Sequence, residues 1–213
     1  MIKKTLSLFI AAVAAMTVAA QSARNFKVNI SADGESTLEL FIPENPSGKA
    51  VVCCPGGGYS HLAYQHEGTD WAPFFNQRGV TLAVLKYRMP KGDKNLPLSD
   101  AYGAIRMLRD SAAVWSVNPY DIGIMGSSAG GHLASAVSTH AAVDVRPNFT
   151  ILFYPVISMN KAVSHKGSCV NFLGDGQDDE KMQKEWSSER RVHHHTTPPA
   201  IILMSFDDTV VPP

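Results

Sequence analysis

Apolar and polar residues alternate in two different periods along this chain, and each period predicts a type of element. Short alternating or continuous apolar runs of five residues or so are typical of strands. Longer stretches with apolar residues every three or four positions are typical of helices. Strands are predicted at residues 26–30, 38–42, 50–54, 80–85, 122–125, 149–153 and 200–204. Helices are predicted at residues 69–78, 100–115 and 130–139.

The clearest helix signal lies in residues 100–115. Its apolar positions recur at a 4-3-4-3 spacing, which places them on one face of a helix: Ala101, Ile105, Leu108, Ala112 and Trp115. Strands and helices of this kind alternate through most of the chain, and this order favours an α/β fold with a mostly parallel central sheet flanked by helices. Residues 21–213 are predicted to form one such domain. Within it, the polar residues 156–197 are expected to be an irregular, cap-like excursion with a short helix near residues 178–186.

The first 20 residues have a different pattern from the rest. Lys3 and Lys4 precede an apolar run at residues 6–15, and small residues follow before Gln21. This order predicts a signal peptide cleaved after Ala20, and so a secreted or periplasmic protein. A retained membrane anchor is the alternative, but the apolar run is short for a spanning helix. We expect no stable membrane insertion after cleavage.

The charge of the chain bears on the macromolecules that it can bind. The chain carries 19 basic and 19 acidic residues and shows no basic stripe, so we expect no binding to nucleic acid.

The chain has three cysteines. Cys53 and Cys54 are neighbours in a predicted strand, and Cys169 is expected in a later loop. An odd number with two adjacent members is not typical of a disulfide framework. Buried free thiols, with Cys53 and Cys54 on opposite faces of the sheet, are expected.

The segment Gly126-Ser127-Ser128-Ala129-Gly130 fits the pattern G-x-S-x-G between a predicted strand and a predicted helix. A sharp turn there strains the serine backbone and exposes its hydroxyl, while the next backbone N–H lies at the start of the helix. That N–H can hold a developing negative charge. The segment therefore predicts Ser128 as a nucleophile. A merely structural tight turn is the alternative.

Two further segments fit the same chemistry. Three glycines at residues 56–58 follow a predicted buried strand and expose backbone N–H groups, as an oxyanion requires. A phosphate-binding loop is the alternative, but no Gly-Lys-Ser/Thr follows.

Asp207 and Asp208 come just after the last predicted strand, where an acid that orients a histidine would lie. A polar turn that closes the strand is the other interpretation.

In this order, PGGGY, GSSAGGHLA and TPPAIILMSFDDTVVP resemble the α/β-hydrolase superfamily, and the chain is most similar to its secreted bacterial esterases. The resemblance points to the xylanase-associated acetyl and feruloyl esterases of plant polysaccharides. It implies Ser128 as nucleophile, Asp208 as triad acid, and the N–H groups of Gly57, Gly58 and Ala129 as oxyanion donors. It also implies a small-molecule or oligosaccharide ester as substrate, with no metal or organic cofactor. An amide or peptide hydrolase of the same fold remains open.

The triad histidine is the piece that the sequence does not supply. The family order is serine, acid, histidine, and no histidine follows Asp208. His132 lies one helical turn beyond Ser128 and is expected to have a structural role. His61 and His66 follow the glycine loop. The three histidines at residues 193–195 are expected to be exposed to solvent. We therefore expect a C-terminally truncated domain that lacks its last strand and helix, with the base beyond Pro213. An inactive fragment or binding module is the alternative.

Overall fold

The computed structural model of the protein describes residues 22–213. The predicted signal peptide at residues 1–20 lies outside these residues. The described chain is built on one seven-stranded sheet of order β1-β2-β4-β3-β5-β6-β7. Its strands are β1 (Arg24–Asn29), β2 (Thr37–Ile42), β3 (Ala50–Cys54), β4 (Thr81–Lys86), β5 (Ile122–Ser127), β6 (Phe149–Phe153) and β7 (Ala200–Leu203).

The sheet is parallel from β4 to β7 and antiparallel only where β1 pairs with β2 and β2 with β4. The carboxyl ends of β3, β5, β6 and β7 therefore meet at one edge. In parallel α/β sheets, sites are built from the loops that follow this edge. The predicted mostly parallel sheet is confirmed, and all seven predicted strands are present.

Helices cover both faces of the sheet. They are α1 (Ala72–Asn76), α2 (Asn95–Asp110), α3 (Ala112–Trp115), α4 (Ser128–His140), α5 (Lys166–Leu173) and α6 (Glu180–Trp186), with 3₁₀ turns at Thr69–Trp71, Gly174–Asp178 and Ser188–Arg190. Apolar residues of α2, α4 and α5 form the larger core, and α1 packs on the smaller core of the opposite face.

All three predicted helices differ from the observed ones at their ends. The one expected at residues 69–78 is a 3₁₀ turn followed by α1, which ends at Asn76. The helix expected at residues 100–115 begins at Asn95 and is interrupted at Ser111. Pro97 obscures this early start in the sequence, but proline is tolerated in a first turn, where its missing N–H needs no partner. The helix expected from residue 130 begins at Ser128, because the chain turns directly from β5 into α4.

The segment 156–197 is more regular than expected. It contains α6, as predicted, but also α5, which was not predicted from the sequence. Cys169 therefore lies in a helix and not in a loop, so that expectation was wrong. All three cysteines are free and buried, as expected. Cys53 and Cys54 belong to the cores on opposite faces of the sheet.

Strand β7 is the exception to the buried sheet. It lies at one edge, pairs only with β6, and exposes 54%, 53% and 42% of Ile201, Ile202 and Leu203. The edge position explains this exposure, since within the described residues the apolar side chains of β7 are largely uncovered. No helix within residues 22–213 is both long and apolar enough to span a membrane.

Candidate active site

Ser128 lies at the turn between β5 and α4. Its φ is +52°, in the left-handed region that a non-glycine residue rarely adopts and at a cost of about 1–2 kcal/mol. The predicted backbone strain at this serine is thus present. A β-carbon on Gly126 would lie 2.1 Å from the Gly130 carbonyl oxygen, and one on Gly130 would lie 2.0 Å from that of Cys54. Glycine is required at both positions by these close approaches.

Helix α4 begins at Ser128 without a side-chain cap, although Ser127 occupies the cap position. The first N–H groups of any helix lack intrahelical acceptors. Across residues 22–213, no acceptor is present for the N–H of Ala129. This group therefore lies free at the positive end of a 13-residue helix, beside the candidate nucleophile.

The glycine loop after β3 lies against this turn. A β-carbon on Gly56 would lie only 3.0 Å from the Ser128 β-carbon and 2.7 Å from the Ser127 carbonyl oxygen. Gly57 and Gly58 have φ of +129° and +64°. Among the described residues, neither of their N–H groups has an acceptor. Three unpaired N–H groups, from Gly57, Gly58 and Ala129, are thus brought to the segments around Ser128.

Asp208 lies in the turn after β7. Its Oδ1 accepts the N–H groups of Val210 and Val211 at 2.8 and 2.9 Å, and the residue is half-buried. Asp207 is exposed and bonds to the Ser205 hydroxyl, which lowers the pKa of the Asp207 carboxyl. Of the two adjacent acids, Asp208 is the one that is shielded from solvent.

Tyr154 connects the acid turn to the rest of the edge. It follows β6 with a φ of +34°, and its N–H donates to the Leu203 carbonyl at 2.6 Å. Burial raises the pKa of its phenol, with further contributions from the charges of Glu67 and, more weakly, Asp208. Tyr154 and Glu67 were not singled out from the sequence, because nothing in their local context marks them.

A cavity of about 280 Å³ lies beside these segments and is lined by residues that contact them, although Ser128, Asp208 and the three glycines are not among its lining residues. One wall contains Val156, whose N–H donates to the Ser128 carbonyl at 3.0 Å. Another contains Val211, which bonds to Asp208. A third contains His165, whose Cε1 lies 3.8 Å from where a Gly58 β-carbon would be.

His132 is structural, as expected. It is fully buried, and its Nε2 lies 2.8 Å from the Trp186 carbonyl oxygen, which can only accept. Nε2 therefore carries the proton, and Nδ1 accepts the hydroxyl hydrogen of Tyr59 at 2.8 Å. Burial lowers the pKa of His132 to about 4. With both nitrogens bonded, the ring has no free position for Ser128.

His165 was not considered from the sequence, although its ring lies close to Gly58 of the glycine loop. Its Nδ1 accepts the N–H of Ser168 at 3.2 Å at the start of α5, so the proton of the neutral ring is on Nε2. With Nδ1 bonded to Ser168 and the proton on Nε2, the neutral ring has no free acceptor nitrogen for a proton from Ser128.

The remaining histidines do not complete a triad within the described residues. His61 bonds to Ser60, His140 bonds to carbonyls at both nitrogens, and His66 is exposed. The run at residues 193–195 is exposed, as predicted, and the rings of His193 and His194 are stacked. No histidine in residues 22–213 bonds to Ser128 or Asp208. No cluster of histidine, cysteine or acidic residues in the same range is arranged to hold a metal ion.

Comparison with known proteins agrees with this architecture. A family model described as BD-FAE matches residues 38–213. The chain is 51% identical over 199 residues to an acetylxylan esterase of Xylanibacter ruminicola, covering 93% of this chain and 42% of that protein. It is 30% identical over 185 residues to endo-1,4-beta-xylanase B of Butyrivibrio fibrisolvens, covering 75% of this chain and 29% of that protein. The chain thus spans less than half the length of either relative.

Among solved structures, the acetyl ester-xyloside bifunctional hydrolase from Caldicellulosiruptor lactoaceticus superposes with a TM-score of 0.73 at 34% identity. The match covers 82% of this chain and 68% of that one. An α/β hydrolase from a deep-sea metagenome library, MGS-M1, superposes with a TM-score of 0.69 at 27% identity, over 90% of this chain and 72% of that one. The predicted α/β-hydrolase fold is confirmed.

Proposed function

Because the chain belongs to the BD-FAE family, we propose that it is the catalytic region of a secreted serine esterase that removes acetyl groups from xylan. One observation carries this proposal. Ser128, on a strained turn at an uncapped helix start, adjoins a loop in which two successive N–H groups are unpaired. The acetyl group and the xylan backbone are chosen because the relatives named above are an acetylxylan esterase and an acetyl ester-xyloside hydrolase.

The reaction proceeds through an acyl-enzyme. The Ser128 Oγ attacks the acetyl carbonyl, and the carbonyl oxygen becomes an oxyanion held by the N–H groups of Gly57, Gly58 and Ala129. The C–O bond to the sugar then breaks, the sugar hydroxyl leaves with a proton, and water releases acetate from Ser128. Asp208 is proposed to orient the histidine that moves these protons. That histidine is not assigned to any of the eight in the described residues.

The experiment uses the protein expressed over its whole reading frame and a fluorophosphonate probe, which bonds covalently to an activated serine. We expect labelling at Ser128 and its loss in Ser128→Ala. Ser127→Ala is the matched control, since it removes the hydroxyl of the adjacent buried serine, and it should keep labelling. Labelling that survives in Ser128→Ala would contradict the assignment.

Substrate class is tested on the same preparation. Acetylated xylo-oligosaccharides should be deacetylated in a Ser128-dependent way and faster than feruloylated oligosaccharides, peptides or arylamides. Faster cleavage of an amide would favour the amide-hydrolase alternative. An unlabelled, inactive wild-type protein would favour an inactive or binding module.

A further inference from the structure

The carboxylate of Glu67 joins the two segments on either side of the candidate nucleophile. Its Oε2 accepts the N–H of Gly56 at 2.6 Å, and its Oε1 accepts the hydroxyl hydrogen of Tyr154 at 3.0 Å. Gly56 follows β3 and Tyr154 follows β6, while the strand between them, β5, leads into Ser128. One side chain therefore bridges the carboxyl ends of the strands that flank the Ser128 strand.

The backbone at Glu67 is itself held in place. The Glu67 N–H donates to the Ala63 carbonyl at 3.0 Å, and the buried Cys53 thiol donates to the Glu67 carbonyl at 3.2 Å. The next residue, Gly68, packs closely against the Tyr64 backbone: a β-carbon on Gly68 would lie 2.2 Å from the Tyr64 carbonyl oxygen. The backbone that carries this carboxylate is thus held by hydrogen bonds of its own, besides those that the carboxylate accepts.

The bond to Gly56 determines which N–H groups of the loop stay free. Since Glu67 takes the Gly56 N–H, this group is not available to a substrate, and the following N–H groups of Gly57 and Gly58 are the unpaired ones. Fixing the peptide that precedes them restricts their direction. Loops of consecutive glycines have little conformational preference of their own, so each hydrogen bond to the loop narrows its geometry.

We propose that Glu67 is a positioning residue for the oxyanion loop, acting through Gly56 and Tyr154 without contact to the substrate. This inference rests on the proposed esterase function. A negative charge close to a forming oxyanion is unfavourable. The contribution of Glu67 is therefore its geometry as a double acceptor, and a neutral side chain of the same shape should serve as well.

Three variants of the whole-reading-frame protein test this. Glu67→Ala removes both bonds, whereas Glu67→Gln keeps an oxygen for Gly56 and an amide N–H₂ that can donate to the Tyr154 oxygen. Glu39→Ala is the matched control, because Glu39 also accepts a tyrosine hydroxyl, that of Tyr64, at 3.0 Å but lies in the middle of β2.

We expect Glu67→Ala to lower kcat about 10- to 100-fold with little change in KM, since oxyanion donors act mainly in the transition state. Affinity for a boronic acid transition-state analogue should fall by a similar factor, while inhibition by the deacetylated oligosaccharide stays the same. Glu67→Gln should retain kcat within about threefold of wild type. Both alanine variants should show comparable changes in Tm.

Three outcomes would overturn the inference. The first is a kcat for Glu67→Ala within twofold of wild type, and the second is a Glu67→Gln variant as impaired as Glu67→Ala. In both cases Ser128-dependent turnover by the wild type leaves the proposed function standing. The third is a wild-type protein without Ser128-dependent turnover, which would overturn the proposed function and this inference together.

Discussion

The start of α4 and the turn after β7 each carry one proposed triad residue, yet they are built in opposite ways. Around Ser128 nearly every residue from 122 to 138 is buried, and glycine is required wherever backbone segments touch. Around Asp208 the preceding strand is exposed on the edge of the sheet. There the carboxylate is held by two N–H groups of its own turn.

This difference shows that the two residues depend on different parts of the molecule. The geometry of Ser128 is set by long-range packing between β3, β5 and α4. The geometry of Asp208 is set by a local turn that three to four residues can form by themselves. Changes around Ser128 should therefore affect folding, whereas changes at Asp208 should affect chemistry with little effect on folding.

The largest effect is expected from Gly130→Ala. The new β-carbon would lie 2.0 Å from the Cys54 carbonyl oxygen and 2.5 Å from that of Pro55, both backbone atoms that cannot move aside. We expect the free energy of unfolding in urea to fall by more than about 3 kcal/mol. Gly176→Ala is the control, since its nearest neighbour is the flexible end of Met182 at 3.1 Å. Equal stability of the two variants would show that the packing around Ser128 is not tight.

A smaller effect, on activity alone, is expected from Asp208→Asn. The asparagine keeps an oxygen for the N–H groups of Val210 and Val211, so the turn and the unfolding curve should be preserved. Loss of the charge should lower kcat/KM by about 10²- to 10⁴-fold. Asp207→Asn, the adjacent exposed acid, should change it by less than about twofold. If Asp207→Asn lowered kcat/KM more than Asp208→Asn, Asp207 and not Asp208 would be the triad acid.

The last effect is confined to acidic pH and is the loss of stability caused by His132. Its pKa is 6.5 in an ordinary environment and about 4 in the fold, so the unfolded chain binds an extra proton between these values. Above pH 6.5 this difference has no effect on the free energy of unfolding. As the pH falls from 6.5 towards 4, the free energy of unfolding decreases by about 3 kcal/mol in total. His132→Gln should have a shallower decline of unfolding free energy over this range. Parallel curves for the two proteins would exclude His132 as the cause.

The sequence predicted the parts of this molecule that depend on local pattern. The alternation of apolar runs located the seven strands, and the glycine spacing around Ser128 located the strained turn. Both follow from backbone geometry that neighbouring residues determine. The signal peptide prediction and the roles of Ser128, Asp208, Gly57, Gly58 and Ala129 remain predictions.

What the sequence could not predict depends on residues far apart in the chain. Glu67 meets Tyr154 across 87 positions, and neither lies in a recognisable pattern. Helix α5 was missed because it is only eight residues long, and because its cap is a histidine, which is not among the usual capping residues.

The bonds of His132 have a consequence for how the parts of this protein can be exchanged. Tyr59, which ends the glycine loop, reaches the Trp186 carbonyl of α6 through His132, and Asn171 of α5 donates to the Gly58 carbonyl at 2.8 Å. The segment 156–197 is therefore not an independent module. A chimera that replaces it with the corresponding segment of another hydrolase would also have to supply an acceptor for His132 and a donor for Gly58.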